Sequence, residues 1–159
     1  MPDANDRIAI RRLGEADRGG WLALWRGYLD FYRAEVPDST TELTFARLRD
    51  QDAGMLGLVA VDGEDRPIGL AHLVFHAATW SATSSCYLED LFVGRARRGG
   101  EVARALIDAV YATARDRGSD RVYWHTQQFN APARSLYDTV ATPTSLIVYE
   151  HVLAPTDGR

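Results

Sequence analysis

The sequence contains one cysteine, Cys86, so it can form neither an intrachain disulfide nor a zinc site built from cysteines. Its four histidines follow no H-E-x-x-H spacing, and we predict no catalytic metal. No apolar run approaches membrane-spanning length and no signal peptide is recognised, so we expect a cytoplasmic protein without a membrane partner. The formal charge of −4 leaves no basic excess, which argues against a nucleic-acid partner.

What the chain does contain is enough apolar material for a core. Of its 159 residues, 46% are hydrophobic and 25% are charged. This balance is typical of one globular domain. We therefore predict a single domain over residues 1–159, with a folded core over residues 6–153 and short polar tails.

Hydrophobic periodicity predicts an α+β fold. Strands are predicted at residues 7–13, 55–61, 67–75, 86–93, 121–126 and 145–153, with a loop at residues 81–85. Helices are predicted around residues 21–32 and over residues 39–50, 101–117 and 131–138. This order predicts a mostly antiparallel sheet flanked by helices, in which one central strand–turn–helix–strand unit is parallel.

The most informative segment lies between Tyr87 and Tyr137. A strand ends there in a glycine-rich turn that opens a helix, and such a helix N-terminus can bind phosphate through free backbone N–H groups. Arg95, Arg97, Arg98 and Arg104 add positive charge nearby. Taken alone, the pattern is equally typical of a capped helix beside a solvated basic patch.

Two longer motifs support the phosphate-binding interpretation. Residues 87–93 (YLEDLFV) and 98–106 (RGGEVARAL) resemble motif A of the GNAT acetyltransferase superfamily, whose glycine-rich part follows Q/R-x-x-G-x-G/A. Residues 130–137 (NAPARSLY) resemble its motif B, and the stretch before motif A is similar to the diamine and polyamine acetyltransferases. The resemblance covers nearly the whole chain and implies the GNAT fold with acetyl-CoA as co-substrate.

The resemblance also implies which residues bind the cofactor. The strand edge at Leu91, Phe92 and Val93 would pair with the pantetheine arm, and Asn130 would contact the cofactor from the far side. The pyrophosphate cradle would comprise Arg98, Gly99, Gly100, Glu101, Val102, Ala103 and Arg104. Asn130 could equally cap the helix that follows it, a contact that contributes about 1 kcal/mol.

Glu101 departs from the motif, because it stands where the central glycine belongs. A glutamate adds bulk and negative charge beside a polyanion, although a carboxylate in the first helical turn favours the helix dipole. We expect its side chain to point to solvent while Gly99 and Gly100 form the turn, so that cofactor binding is weakened but retained.

Acetyl transfer needs a neutral amine, whereas an alkyl ammonium has a pKa of about 10.4. The resemblance identifies Glu89 as the candidate base and Tyr137 as the general acid that protonates the leaving thiolate. Glu89 could instead be an exposed or ion-paired carboxylate, and Tyr137 a core residue. If the strand is regular, Asp90 faces away from Glu89 and is the weaker candidate.

Support for acceptor-binding residues is weaker than that for the catalytic candidates. The resemblance places the loop that carries Glu35 and Asp38 near the acceptor. Trp80 could form a wall of the acceptor site or could simply pack on the sheet. The aromatic stripe formed by Trp21, Trp25, Tyr28 and Tyr32 is more typical of core, and His125 of a structural histidine.

The predicted function is direct acetylation of a small primary amine, such as a diamine, polyamine or amino acid, by a homodimer. Two alternatives stay open. One is a protein lysine or N-terminal acetyltransferase, and the other is a degenerate, non-catalytic acyl-CoA-binding module. The sequence does not identify the acceptor amine or the acyl-chain length.

Overall fold

The computed structural model describes residues 6–97 and 99–155. Arg98, which the sequence places in the cradle, lies outside the described residues. Within these residues, five strands and four α-helices follow each other. They are β1 (Ala9–Arg12), α1 (Arg18–Phe31), α2 (Asp38–Arg49), β2 (Met55–Val61), β3 (Pro67–Ala77), β4 (Ser84–Val93), α3 (Glu101–Asp116), β5 (Arg121–Tyr123) and α4 (Ala131–Val140). No helix among these residues is long and apolar enough to cross a membrane.

The strands form one sheet in the order β1-β2-β3-β4-β5. The first four are antiparallel neighbours, and β5 runs parallel to β4. A parallel pair needs a crossover connection, which α3 provides. The predicted α+β architecture with one central parallel unit is confirmed.

Helices cover both faces of the sheet. On one face, α3 buries Val102, Leu106 and Val110 against the sheet residues Leu73 and Leu88. On the other face, α1 and α2 bury Trp21, Trp25, Phe45 and Leu48 against Val59 and Leu70. The sheet is therefore the middle layer, and residues at the end of β4 lie between α1 and α3.

The pairing of β3 with β4 contains a β-bulge at Glu89. His72 pairs with Asp90 and Leu73 pairs with Leu88, so Glu89 is an extra residue without a partner on β3. A bulge bends its strand and redirects the side chains next to it. The alternation that would turn Asp90 away from Glu89 is therefore broken at this point.

The parallel pair β4–β5 is short. It joins Ser85, Cys86 and Tyr87 to Arg121, Val122 and Tyr123, and β5 ends there. β4 continues to Val93, so its last residues have no β5 partner on that edge. The two strands thus separate just where the predicted site begins.

Three boundary predictions are wrong. Residues 145–153 form no strand, and their large apolar side chains are exposed. The strand predicted over residues 121–126 ends at Tyr123. The loop predicted over residues 81–85 already belongs to β4 from Ser84 onwards. In each case β-propensity was a poor guide, because a strand also needs a neighbour with which to pair.

Candidate active site

The edge of β4 beyond Tyr87 is the first part of the site. Leu91 and Val93 pack toward the α3 core, while Phe92 packs toward α1. The Phe92 ring contacts the edge of the Tyr28 ring, with centroids 5.9 Å apart. The side chains of this segment are therefore used for packing, and its backbone is the part offered to a ligand along the open edge.

The glycine-rich turn is the second part. Gly99 has a φ of 146° and Gly100 a φ of 93°, a region that residues with a side chain rarely adopt. Gly100 is the N-cap of α3, and no side chain of the described residues caps it. A Cβ at either glycine would meet nothing within 4 Å, so the space above the turn is open. The first backbone N–H groups of α3 consequently face a space that could admit an anion.

The side chains around this turn differ in their exposure and in their contacts. Glu101 is exposed, as expected, whereas Val102 is buried in the core with 2% exposure. Arg104 donates to the Thr139 hydroxyl on α4 through Nη2 (2.7 Å). Arg97 lies 4.0 Å from the carboxylate of Asp6. The cradle therefore consists mainly of backbone, with arginines that are already engaged beside it.

A cavity of about 30 Å³, room for about one water molecule, lies where β4 and β5 separate. Residues from β4, from the segment after β5, from the C-terminal end of α1 and from α4 line it. They are Tyr28, Tyr32, Leu88, Glu89, Leu91, Trp124, His125, Thr126 and Tyr137. The fold thus brings Tyr137, which is distant in sequence, to the same space as Glu89 and Leu91.

Glu89 extends from the bulge toward this cavity. Desolvation raises the pKa of its carboxyl, and the negative charge of Asp90 raises it further, while a positive charge on His125 or on His72 would act in the opposite direction. A raised pKa makes a carboxylate a stronger base near neutral pH.

Tyr137 lies on α4 at the opposite side of the cavity. Its ring contacts Trp124 edge-on, with centroids 5.3 Å apart. Desolvation, and to a smaller degree Tyr32, raise the pKa of its phenol, so it keeps its proton at neutral pH. A phenol in that state can donate a hydrogen bond or a proton into the cavity.

Asn130 stands at the N-cap position of α4, but its side chain makes no capping hydrogen bond there. The structure therefore does not contain the capping contact that offered an alternative role for this amide.

Several residues of the site were missed or undervalued in the sequence. Tyr28 and Tyr32 end the aromatic stripe of α1 and line the cavity, whereas Trp21 and Trp25 in the same stripe are core. His125 is exposed, lines the cavity and bonds through Nδ1 to the Tyr87 hydroxyl (3.0 Å). The helical spacing of aromatic residues cannot by itself distinguish core residues from cavity-lining ones, because one helical stripe can run from the core to the edge of a cavity.

Asp90 is closer to Glu89 than a regular strand would allow. Both carboxylates raise the pKa of the Tyr28 phenol, after desolvation and with Asp90 the stronger of the two. Asp90 also bonds to the buried ring of His72 (Oδ2 to Nδ1, 2.8 Å). Asp90 was expected to face away only if the strand is regular, and the bulge interrupts the alternation at this point.

The predicted acceptor residues do not line this cavity. Glu35 and Asp38 line a wider, open depression of about 700 Å³ at the α1–α2 connection, which shares no lining residue with the cavity. The base and acid candidates, Glu89 and Tyr137, line the smaller space instead. Trp80 is 100% exposed, so it does not pack against the sheet. Within residues 6–97 and 99–155, no group of three or more His, Cys, Asp or Glu side chains is placed to hold a metal ion.

Comparison with known proteins agrees with this arrangement. Residues 21–140 match the family model described as the acetyltransferase (GNAT) family. The chain belongs to the GNAT family. The match includes the glycine-rich turn, the open edge of β4 and the helix that carries Tyr137. As a member of this family, the protein is an acetyltransferase that transfers an acetyl group to an amine, and the family uses acetyl-CoA as donor.

Two curated relatives are similar in sequence. The D-amino-acid N-acetyltransferase HPA3 of Saccharomyces cerevisiae is 35% identical over 147 residues, which is 92% of this chain and 91% of the relative. The thialysine N-epsilon-acetyltransferase of Caenorhabditis elegans is 33% identical over 84 residues, covering 53% of this chain and 51% of the relative. Both names describe acetyl transfer to the nitrogen of a small molecule.

Solved structures support the fold. The aminoglycoside N-acetyltransferase AAC(6')-Iy, crystallised with CoA, superposes with a TM-score of 0.81 and 17% identity, covering 97% of this chain and 99% of that chain. At this identity the likeness concerns the GNAT fold alone.

Proposed function

We propose that this GNAT protein binds acetyl-CoA along the open edge of β4 and acetylates a small primary amine directly, without an acyl-enzyme. The observation that carries the proposal is the convergence of Glu89 and Tyr137 on one cavity at the point where β4 separates from β5. The glycine-rich turn at the start of α3 follows directly from that edge.

The residues present fit this cofactor. The unpaired edge of β4 at Leu91 and Val93 offers backbone groups to an extended pantetheine arm. The turn at Gly99 and Gly100 would bind the pyrophosphate through the first N–H groups of α3. Asn130 would bind from the α4 side, since its amide is not used for capping. When bound, acetyl-CoA supplies the acetyl thioester.

Glu89 accepts the proton of the acceptor ammonium in this proposal. Its carboxyl lines a cavity with room for about one water molecule, so the proton can pass directly or through that water. The raised pKa of Glu89 brings its basicity closer to neutral pH, which favours general-base catalysis.

Tyr137 donates its phenolic proton to the departing sulfur. Because desolvation raises its pKa, the phenol is protonated when the sulfur leaves. A backbone N–H near Leu91 would meanwhile stabilise negative charge on the carbonyl oxygen.

The relatives favour a small acceptor over a protein chain. The cavity is lined by aromatic side chains but has room for about one water molecule, so it would admit only the amino group of either kind of acceptor. The names of the two curated relatives, which specify amino acids as acceptors, support the small-acceptor class.

The first experiment is calorimetry with acetyl-CoA, followed by a screen of diamines, polyamines and amino acids of both chiralities that monitors free thiol. We expect micromolar binding and thiol release with at least one amine. Binding without turnover of any amine would favour the non-catalytic module. Absence of binding would contradict the proposal as a whole.

The second experiment tests the two catalytic roles. Tyr137→Phe and Glu89→Gln should each lower kcat/KM by about 10²–10⁴-fold, the usual contribution of a positioned acid or base. Tyr111→Phe is the matched control. Its hydroxyl donates to the Val140 carbonyl (2.7 Å) and holds α4 against α3 away from the cavity. An equal loss in Tyr111→Phe would mean that the position of α4, rather than the Tyr137 phenol, controls the rate.

The protein-acetyltransferase alternative has an unusually clean test. All 18 basic residues are arginine and the chain contains no lysine. Any acetyl-lysine formed in a mixture with a candidate protein therefore belongs to the added protein. Efficient modification of such a protein, with no turnover of free amines, would replace the small-molecule proposal.

We also propose that the protein is a homodimer. Residues 141–155 form neither helix nor strand, and Leu146, Ile147 and Val148 in this segment are 79%, 74% and 66% exposed. Within the described residues, β5 pairs with β4 alone and has a free outer edge. A second copy could cover both features. Light scattering should give twice the chain mass, and Ile147→Asp should shift it toward the monomer, whereas a monomeric wild type would contradict the proposal.

The predicted cytoplasmic location stays a prediction, as does the lack of a nucleic-acid partner. Fractionation of cells and a shift assay with mixed DNA and RNA would test them.

A further inference from the structure

The starting observation is a buried hydrogen-bonded chain that the proposed mechanism does not use. Trp21 Nε1 donates to His72 Nε2 (3.0 Å), and His72 Nδ1 bonds to Asp90 Oδ2 (2.8 Å). Trp21 and His72 are 2% and 1% exposed, whereas the Asp90 side chain is 14% exposed. The chain therefore runs from the core under α1 to a partly exposed carboxylate, which does not line the cavity itself but follows the lining residue Glu89 directly in sequence.

The hydrogen bond from Trp21 determines which ring nitrogen of His72 carries the proton. An indole N–H can only donate, so His72 Nε2 must accept and carries no proton. His72 Nδ1 then carries the proton and donates it to Asp90. The ring is therefore neutral and has one defined tautomer, so it does not neutralise the negative charge of Asp90.

The neighbours of Asp90 include one further carboxylate and two neutral phenols. The bulge sets Glu89 next to it, and the C-terminal end of α1 contributes Tyr28 and Tyr32, whose pKa values Asp90 raises further after desolvation. His72 faces it from β3. Among the described residues that line the cavity there is no arginine, and only His125 could carry positive charge. Such a site attracts a cation and disfavours a carboxylate.

From this geometry we propose that Asp90 binds the acceptor in its ammonium form, and that His72 is the positioning residue that holds the Asp90 carboxylate beside the cavity. The proposal rests on the proposed function and adds a preference for amines that are cationic at neutral pH over uncharged amines. It also accounts for the adjacent pair of carboxylates, since Asp90 attracts the ammonium and Glu89 takes its proton. The Asp90 charge raises the pKa of the bound ammonium and that of Glu89 alike, so its two effects on the proton transfer oppose each other.

The test compares two acceptors of the wild-type enzyme. One is the best alkylamine from the screen, and the other is an aromatic amine that is uncharged at neutral pH. Asp90→Asn should raise KM for the alkylamine at least tenfold and change KM for the aromatic amine and for acetyl-CoA less than twofold. It should also move the acidic limb of kcat/KM to lower pH, since the Glu89 carboxyl loses the neighbouring charge that raises its pKa.

The histidine variants test positioning. His72→Leu removes the donor to Asp90 and should raise KM for the alkylamine as Asp90→Asn does. His72→Asn places an amide N–H near the former Nδ1 and should recover part of the loss. Thr41→Val is the matched control, because the Thr41 hydroxyl accepts from the other buried indole of α1, Trp25 Nε1 (3.1 Å). It should lower Tm without raising KM for the alkylamine.

The outcomes are distinct. Equal increases of KM for both amines in Asp90→Asn, or the same increase in Thr41→Val, would overturn the inference, since both indicate a general structural effect. An active wild type whose alkylamine KM is unchanged in Asp90→Asn would overturn it while leaving the proposed function intact. A wild type that acetylates no amine would overturn both.

Discussion

The glycine turn at the start of α3 offers the sharpest quantitative prediction, the substitution Gly100→Ala. Gly100 has a φ of 93°, and a Cβ there would meet no atom within 4 Å. The substitution therefore adds no clash, and its whole cost is conformational. An L-residue in the left-handed region costs about 1–2 kcal/mol, so we expect the free energy of unfolding to fall by about that amount.

The expected shift in Tm follows from this free energy. For a domain of this size, 1 kcal/mol corresponds to about 2–4 °C, so Gly100→Ala should lower Tm by about 2–8 °C. The substitution should weaken acetyl-CoA binding more than it lowers the stability of the fold. If the backbone relaxes to relieve the strain, the first N–H groups of α3 no longer converge on one point, and we expect the Kd for acetyl-CoA to rise at least tenfold.

Gly19→Ala is the matched control. Gly19 lies in the first turn of α1, is exposed, and also has no atom within 4 Å of a built Cβ, but its φ is not positive. Alanine there should stabilise the fold by up to about 1 kcal/mol and leave the Kd unchanged. Calorimetry and thermal unfolding measure both quantities. The reasoning is refuted if the two alanine variants change Tm in the same direction, or if Gly100→Ala binds acetyl-CoA as the wild type does.

Three further predictions concern single side chains. Glu101→Gly should tighten acetyl-CoA binding about two- to fivefold, because it removes an exposed negative charge beside the polyanion and exposed charges interact by about 0.2–1 kcal/mol; unchanged affinity by calorimetry would show that Glu101 does not interact with the cofactor. Arg11 holds the pKa of Asp17 below its usual value through two hydrogen bonds (2.7 and 2.9 Å); this stabilisation is present above the unfolded pKa of 3.8 and is lost as pH falls through the folded pKa. Asp17→Asn should accordingly cost about 1.5–3 kcal/mol in urea titrations at pH 7, and this cost should decrease as pH falls below 3.8; a cost independent of pH would exclude the ion pair as the cause. Burial raises the pKa of the Cys86 thiol to about 11, so a disulfide reagent at pH 8 should react only after unfolding, and rapid reaction of the native protein would contradict this.

Most of the fold could be predicted from local pattern. The bounds of β2 and the start of α3 agree with the sequence prediction, because both are set by signals on the chain itself, an unbroken apolar run and a glycine pair. The segment 145–153 has the same apolar character but forms no strand, since nothing in its own chain pairs with it. Strand formation depends on a distant edge that the local sequence does not describe.

Only part of the site could be predicted, because some of its residues follow from a local motif and others depend on how distant elements pack. Motif resemblance identified Glu89 and Tyr137, and both line the same cavity. It did not indicate Tyr28, Tyr32 or the Trp21–His72–Asp90 chain, which depend on how α1 crosses the sheet. Glu35 and Asp38 were selected for their charge near the expected acceptor, whereas the structure places them at a separate depression.

The bulge at Glu89 is the one irregularity that the sequence does encode. Cys86 and Leu88 face the α3 core at even positions, whereas Leu91 and Val93 face it at odd positions, so one residue between them must be extra. Deleting Glu89 should therefore leave both faces of β4 in register. We expect cooperative unfolding with a moderately lower Tm and complete loss of acetyl transfer, measured by thermal denaturation and thiol release. A chain that no longer folds would show that the bulge is needed for the sheet itself, and that it does not serve only to bring two carboxylates to one cavity.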